Sequence, residues 1–389
     1  LKGALPDNFY SRLTMDTSKL AALVDIINQI KIDTHDFDLF GRVYEYFLGK
    51  FAASQGQKGG EYYTPKCIVR LLTEMIEPFK GRVYDPCCGS GGMFVQSAKF
   101  IAAHGGETND IAIFGQEQNS ATLKLAKMNL AIRGISADFG AMPADTFSKD
   151  QHKDLKADFI LANPPFNLKE WRAESELTDD PRWNGFDVPP TGNANYGWIL
   201  HMLSKLSDKG VAGFVMANGS MSSSTGGEDK IRRALIEKGF VECMIALPAQ
   251  LFFTVQIPAC LWFIRKNRER KETLFIDARN IGFMSDRTHK NFSDEDIAKI
   301  TKIYHDWRKG SPEYQDVKGF CKSADLAEIA GNDYTLTPGR YVGIAETETS
   351  QEEFETKMAA LVADLNAQMA KGTELDAQIK DNLAKLGWG

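Results

Sequence analysis

The spacing of apolar residues divides the chain into stretches of different period. Over residues 1–55, Leu20, Leu23, Val24, Ile27 and Ile30 recur at helical intervals, as do Phe40, Val43, Tyr44, Phe47 and Leu48. Both sets predict helices. A glycine-rich break, GQKGGEYYTP, follows. Ile68, Leu71, Leu72 and Met75 then mark one face of a helix that Thr64–Pro65 can start, because proline fits a first helical turn. From about residue 80 to 280 the pattern changes to short, continuous apolar runs: RVYD (82–85), IAIFGQ (111–116), ADFILAN (157–163), VAGFVMAN (211–218), VECMIALP (241–248), ACLWFIRK (259–266) and TLFIDA (273–278). Helical patterns such as 119–133 and 196–206 lie between several of them. Strands buried on both faces read this way, so the pattern predicts an α/β fold with a doubly wound, mostly parallel sheet covered by helices on both sides. Only NRER separates the last two runs, which predicts an antiparallel pair at the sheet edge.

Two further stretches stand out. Residues 167–195 are polar and rich in Pro, Gly and Trp, and a loop this long inside a compact domain is usually functional or mobile. Near the C-terminus, Phe354, Met358, Leu361, Leu365 and Met369, and beyond Gly372 also Leu375, Ile379, Leu383 and Leu386, make a narrow apolar seam. The seam predicts a helix or a helix pair needing a covering surface, either its own domain or another chain. The expected regions are a helical segment 1–57, an α/β domain 58–345 and a helical segment 346–389.

Composition narrows the class. The 389 residues are 43% hydrophobic and 25% charged, which suits two or three ordinary globular domains and excludes a disordered chain, a fibre or a disulfide mini-protein. No apolar run reaches membrane-spanning length, and LKGALPDNFY lacks the basic and apolar parts of a secretory signal. It also lacks an initiator Met, so a fragment of a longer chain is expected. The six cysteines form no CxxC pair, so neither a metal site nor a disulfide framework is expected, and a reducing cytoplasm fits. A net charge of −6 argues against a chain that grips nucleic acid alone, but not against one subunit of an assembly that does.

The chemistry concentrates in two motifs. VYDPCCGSGGMF (83–94) follows a strand and leads into a helix. Asp85 closes the strand, and Gly89, Gly91 and Gly92 let the backbone turn sharply and approach a ligand. It is not the dinucleotide fingerprint, since Phe94 holds the third glycine position, and no phosphate-binding GxxxxGK[ST] loop exists. The turn is similar to the S-adenosylmethionine loop of methyltransferases; a tight strand-to-helix turn without a ligand is the alternative. Glu117, in GQEQN (115–119), ends the next strand where an acid can accept both ribose hydroxyls. Asp145, in Ala144–Asp145–Thr146, is placed to meet an adenine amino group or to sit on a surface loop. The second motif is Asn163–Pro164–Pro165–Phe166, at the tip of ADFILAN. Prolines end the strand and fix the backbone, so the Asn amide projects rigidly. An amine conjugated to a purine is a poor nucleophile. The amide oxygen of Asn163 and a proline carbonyl can accept its two N–H bonds and direct its lone pair at a methyl donor, and Phe166 can stack on an extruded base. Cys87 and Cys88 read as small packing residues, and RKNRERK (265–271) as either phosphate contacts or a solvated turn.

These residues bring the chain to a family. Over nearly its whole length it closely resembles the modification (M) subunit of type I restriction–modification systems, which are N6-adenine DNA methyltransferases. GGEYYTPKCIVRLL is similar to the family's N-terminal cofactor motif, DPCCGSGGMF to its main cofactor loop and NPPF to its catalytic tetrad. NANYGWILHML, GFVMANGSMSS, IALPAQLFF, QIPACLWF, FIDAR and LTPGRYVG are similar to other family blocks. The motif order resembles the γ arrangement of amino-methyltransferases. The resemblance implies a Rossmann-like sheet using S-adenosylmethionine. Glu61, Tyr62, Tyr63, Thr64, Pro65 and Lys66 would lie at its methionine end, Ser90–Gly92 at the nucleoside and Glu117 at the ribose. It also implies double-stranded DNA with a flipped adenine as substrate, and as partners a separate specificity (S) subunit, a second M subunit and a restriction (R) subunit. The segment 346–389 would dock the specificity subunit. Apart from the resemblance, Phe252 or Phe253 either offers the flipped base a second stacking face or simply packs in the core, for which LFF is good material. The chain departs from the family in a short N-terminal helical region and in Val255, where Thr is usual. The other readings are a glutamine N5 protein methyltransferase, which uses a similar tetrad, and a scaffold that binds without turnover.

Overall fold

The structure is a computed structural model that describes residues 16–28, 41, 43–47, 64–252, 258–344 and 351–385. The helices are α1 Thr17–Asn28, α2 Lys66–Ile76, α3 Gly92–Ala103, α4 Ser120–Ala131, α5 Asn195–Lys205, α6 Glu228–Glu237, α7 Asp294–Lys309, α8 Leu326–Gly331 and α9 Gln351–Lys385. The strands are β1 Gly81–Asp85, β2 Ile111–Gly115, β3 Ala137–Asp138, β4 Ala157–Ala162, β5 Leu206–Ala217, β6 Val241–Ala246, β7 Ala259–Arg265, β8 Thr273–Asp277, β9 Phe283–Met284, β10 Lys290–Asn291 and β11 Cys321–Ala324. Much of the expected helical segment 1–55 lies outside the described residues. Its residues 43–47 are helical, and Tyr44 Oη donates to the Leu125 carbonyl of α4 at 3.0 Å.

Nine strands form one sheet in the order β11-β8-β6-β7-β5-β4-β1-β2-β3. Alternate side chains of each strand enter two separate cores. Val83, Leu161, Val211 and Val215 pack with α2, α3, α4 and α7 on one face. Tyr84, Ile160, Phe214 and Met216 pack with α5, α6 and α8 on the other. Both faces are covered, which is why the strands read as unbroken apolar runs.

The expected edge pair is not formed. β7 runs antiparallel to both β5 and β6, with Phe214 opposite Trp262 and Ile245 opposite Leu261. β8 pairs parallel with β6, so β6 lies between β7 and β8. The reason is burial: Ala259–Ile264 are all buried, and a strand apolar on both faces is most stable in the sheet interior. The connection 266–272 has only to cross two strand spacings, roughly 10 Å. Its basic residues turn partly inward. Arg268 is buried and donates to the carbonyls of Gly239, Lys271 and Glu272.

The segment 167–194 is tied down rather than mobile. Arg182 donates to Thr146 O at 3.1 Å and to Phe147 O at 2.7 Å, and its other face is paired with Asp180 at 2.7 Å. The Trp171 and Trp183 indoles donate to Pro190 O and Leu177 O, and Trp171 packs on Phe147 with ring centroids 4.4 Å apart. Arg172 collects the carbonyls of Ala173, Glu174, Glu176 and Pro189. The loop's order thus comes from polar clamps that the sequence pattern does not display.

Two compact units are present, residues 1–343 and 344–389. In the second, α9 is one helix that passes through Gly372 unbroken, so the helix-pair option is not realised. Its seam residues Met358, Leu361, Leu365, Met369, Leu375 and Ile379 are exposed. Among the described residues no helix is long and apolar enough to cross a membrane, and no cluster of His, Cys, Asp and Glu is arranged to hold a metal.

Arg182→Met is expected to leave the Asp180 carboxylate with only the backbone N–H of residue 182 and to take the guanidinium from the Thr146 and Phe147 carbonyls. Removing one partner of a buried ion pair costs roughly 3 kcal/mol. Urea unfolding should register that cost, and chymotrypsin should cut within 167–194 at concentrations that spare the wild type. Unchanged stability together with unchanged cleavage would refute the clamp.

Candidate functional site

The mutually parallel strands β1, β2, β4 and β5 end at one edge of the sheet, and a cleft opens there. β1 finishes in Asp85, which is buried, and its Oδ1 accepts the Cys87 N–H at 3.0 Å. Beyond the strands the two chain segments stay joined: Gln116 N donates to Asp85 O and Cys88 N to Gln116 O. The chain then turns through Gly89 and Gly91, with φ of 52° and 78°. At Gly91 a side chain would be strained by that φ and would also meet Leu130 Cδ1 of α4 at 2.8 Å, so backbone conformation and packing set this glycine, which does not line the cleft. Gly89, Ser90 and Gly92 do line it, and a Cβ at Gly92 would meet nothing within 4 Å. Asn129 of α4 holds the loop from behind by donating to Ser90 O at 2.8 Å.

Glu117 leaves the end of β2 and is held by both oxygens. Gly89 N donates to Oε2 at 3.1 Å and Asn119 N to Oε1 at 2.7 Å. Burial raises its pKa despite these bonds, and burial pushes that of Asp85 up to about 7, with the charge of Glu117 adding to it. Cys87 and Cys88 also border the cleft, and burial keeps both as thiols. Among the described residues no lysine or arginine lines the cleft. Asp145 stands at one side. Its Oδ1 accepts the N–H groups of Phe147 and Ser148, and next to it Thr146 Oγ1 donates to Pro86 O at 2.6 Å.

Asn163 faces the glycine loop from the tip of β4. Its Nδ2 donates to Thr64 Oγ1 at 3.0 Å, and its Oδ1, shielded from solvent, has no hydrogen-bond partner among the described residues. Pro165 lines the cleft beside it, while Pro164 is buried beneath. Phe166 meets Phe252 edge to face, with centroids 5.9 Å apart. Asn167 then adopts φ of 53° and is fixed by a two-way exchange with Asn195, which sets the direction in which the chain leaves the tetrad.

Of the sequence-derived candidates, Thr64, Asp85, Gly89, Ser90, Gly92, Glu117, Asp145, Asn163 and Pro165 line one cleft. Pro65 is buried at the head of α2, and Lys66 points away to pair with Glu45 at 2.6 Å, so neither reaches it. Glu61, Tyr62, Tyr63, Phe253 and Val255 lie outside the described residues. The sequence reading missed Met93, Gln118, Leu168 and Trp198 as lining residues. Trp198 is only 4% exposed, and its indole N–H has no partner among the described residues. A tryptophan in the first turn of the helix that follows the long loop was the available signal for it.

Comparisons with known proteins bear on this arrangement. A family model described as N-6 DNA Methylase matches residues 35–350. The chain is 55% identical over 352 residues to the type I restriction enzyme HindI methylase subunit of Haemophilus influenzae, covering 90% of this chain and 79% of that one. It is 37% identical over 398 residues to the type I restriction enzyme MjaIX methylase subunit of Methanocaldococcus jannaschii, covering 100% and 70%. Among solved structures, the type I restriction–modification system methyltransferase subunit from Streptococcus thermophilus superposes with a TM-score of 0.74 at 30% identity, covering 84% and 68%. The nine-stranded mixed sheet is therefore a methyltransferase α/β fold, and the chain belongs to the N-6 DNA methylase family, among the adenine-N6 methylase subunits of type I restriction–modification systems.

Proposed function

We propose that the cleft holds S-adenosylmethionine against the glycine loop and one extruded DNA adenine against the tetrad, and that Asn163 orients the adenine amino group for methylation. The observation that carries this reading is that Asn163 Oδ1, buried, has no hydrogen-bond partner among the described residues. A buried carbonyl oxygen without a donor is costly, so the protein gains from a ligand that supplies an N–H.

The residues suit the cofactor. It is cationic and carries two ribose hydroxyls, and the cleft offers Asp85 and Glu117 with no competing basic side chain among the described residues. The backbone bonds to Glu117 lock its carboxylate in place and leave lone pairs free for hydroxyls. Asp145 spends Oδ1 on its own turn and keeps Oδ2 for an amino group. Open space at Gly92 lets a ligand approach the backbone there. When bound, the cofactor supplies an electrophilic methyl group on sulfur.

The chain's own part is to prepare the nucleophile. Asn163 Oδ1 and the Pro164 carbonyl accept the two amino N–H bonds, which draws nitrogen density out of the purine ring and aims the lone pair. Phe166, braced by Phe252, supports the face of the base. The contribution is positioning and preorganised dipoles, without a strong general base. Thr64 acts one step back. By accepting from Nδ2 it prevents the amide from rotating and keeps the oxygen turned to the substrate.

Sequence choice then falls to a separate specificity subunit, with DNA held by the assembly rather than by this acidic chain alone. The exposed seam of α9 is the surface that would dock that subunit, since burying it removes apolar area from water.

Four measurements test these roles. With methyl-labelled cofactor, DNA and the specificity subunit, label is expected in N6-methyladenine, and Asn163→Ala should lower kcat roughly 10²–10³-fold while cofactor affinity stays within a few-fold. Thr64→Val should lower kcat by about tenfold, one hydrogen bond's worth, and Thr64→Ser should restore it; equal kcat in all three proteins would remove Thr64 from the mechanism. Because Asp85 is raised to about 7, a cationic ligand should favour its ionised form, release a proton on binding and bind up to about tenfold more tightly at pH 8 than at pH 6. Calorimetry on Asp85→Asn should show that dependence flattened. In the free protein the sign is opposite: the protonated Asp85 contributes stability below its unfolded pKa, and that contribution is lost as pH rises through about 7. Finally, Leu361→Asp with Leu365→Asp should abolish co-purification with the specificity subunit, and intact assembly would sink the docking role of α9.

A further inference from the structure

A second feature at the catalytic edge of the sheet has no part in the chemistry above. β8 is parallel to β6, β6 and β5 are each antiparallel to β7, and β5 is parallel to β4. β8 therefore ends at the same edge as Asn163. Shortly beyond it the chain forms a two-stranded ribbon, β9 with β10, pairing Met284 with Lys290 and Phe283 with Asn291.

The ribbon is built to be rigid. Ser285 N donates to His289 O at 2.8 Å, and Asp286 Oδ1 accepts the N–H groups of Thr288 and His289, both at 2.8 Å. At its foot Phe292 is buried, and Gly282, with φ of 94°, admits the Asn291 carbonyl where a Cβ would lie 2.8 Å away. The foot is tied to the catalytic side. Lys290 N donates to Gln250 O at 2.9 Å, and two residues on from Gln250, Phe252 packs on Phe166 of the tetrad.

What the rigid ribbon presents is unusual for a surface. Phe283 is 49% exposed and Met284 46%. Arg287 is exposed and Lys290 half-buried, and neither has an acid partner among the described residues. Ordered apolar side chains beside such cations, on a chain of net charge −6, match the two chemistries of a nucleic-acid duplex: phosphates outside and base faces within.

We propose that this ribbon is a DNA-contacting finger. Arg287 and Lys290 seat on backbone phosphates, and Phe283 and Met284, which as consecutive strand residues point to opposite faces of the ribbon, each cover one of the two base faces uncovered when the target adenine leaves the stack. The inference rests on the reading of Asn163 and Phe166 as the adenine site, because it places the finger next to that base.

The test uses the full chain assembled with its specificity subunit. Arg287→Gln with Lys290→Gln should weaken DNA binding roughly tenfold and reduce the slope of log affinity against log salt by about 2, one for each phosphate no longer neutralised. Phe283→Ala with Met284→Ala should keep the wild-type salt slope but lower the fluorescence of 2-aminopurine placed at the target adenine, which reports extrusion, and lower kcat/KM about tenfold. Phe283, Met284 and Arg287 are exposed and Lys290 is half-buried on a surface ribbon, so thermal melting should stay close to that of the wild type. Wild-type affinity, salt slope and fluorescence in both variants would overturn the proposal. So would failure of subunit assembly with DNA binding otherwise intact, which would make the ribbon a protein-docking face. If the wild-type assembly labels no DNA adenine, the site reading and the finger fall together; if it labels DNA while both variants behave as wild type, the finger alone falls.

Discussion

The hydrogen bond from the Asn163 amide to the Thr64 hydroxyl joins the head of α2 to the tip of β4, and the chemistry we propose for the cleft depends on it. An amide has two chemically opposite ends. Without a fixed partner it would present either to a substrate. With Nδ2 committed, only the acceptor remains, and it remains unpartnered among the described residues. The rest of the architecture serves this arrangement. The β1–β4 pairing brings the glycine loop beside the tetrad, and the buried head of α2 delivers Thr64 to the same place.

Electrostatics run through the cleft in the same sense. Two carboxyls are buried there without a basic partner among the described residues, and burial raises both. A protein selected for stability alone would neutralise such a pair. Keeping it biases both groups toward protonation in the free cleft, so a cationic ligand is met by carboxyls that ionise as it binds.

Much of this was legible in the sequence, for identifiable reasons. Continuous apolar runs disclose strands covered on both faces, and the motifs at their ends disclose which edge carries the cleft, because Asp85, Glu117 and Asn163 each terminate such a run. Partnership was less legible. The apolar run Ala259–Ile264 suits an interior strand, but it does not name the neighbours, and the short NRER connection pointed to the wrong one: β7 pairs with β5 and β6 and not with β8. Side-chain direction was also hidden. Lys66 and Gly91 sit inside matching motifs, yet helix phase turns the first toward Glu45, and backbone conformation with packing against Leu130 explains the second. The 167–194 loop owes its order to Arg182, Arg172 and two indoles, and three of their carbonyl partners, Thr146, Pro189 and Pro190, lie far along the chain from the donor, which local composition does not reveal.

The place of β7 also bears on how the chain is made. β5 and β6 are joined in the sheet only through it, so the middle of the sheet stays open until Ala259–Arg265 has been synthesised. Until then β5 is an apolar edge strand offering unpaired backbone groups, and β6 has no neighbour at all, because β8 and β11 come later still. Joining β5 to β6 needs the next strand to slot between them; its pairing with β6 is between consecutive strands, but its pairing with β5 is non-local, the slower kind. A ribosome that pauses after β6 would leave those edges exposed, making the nascent chain dependent on chaperones just before its catalytic edge is complete.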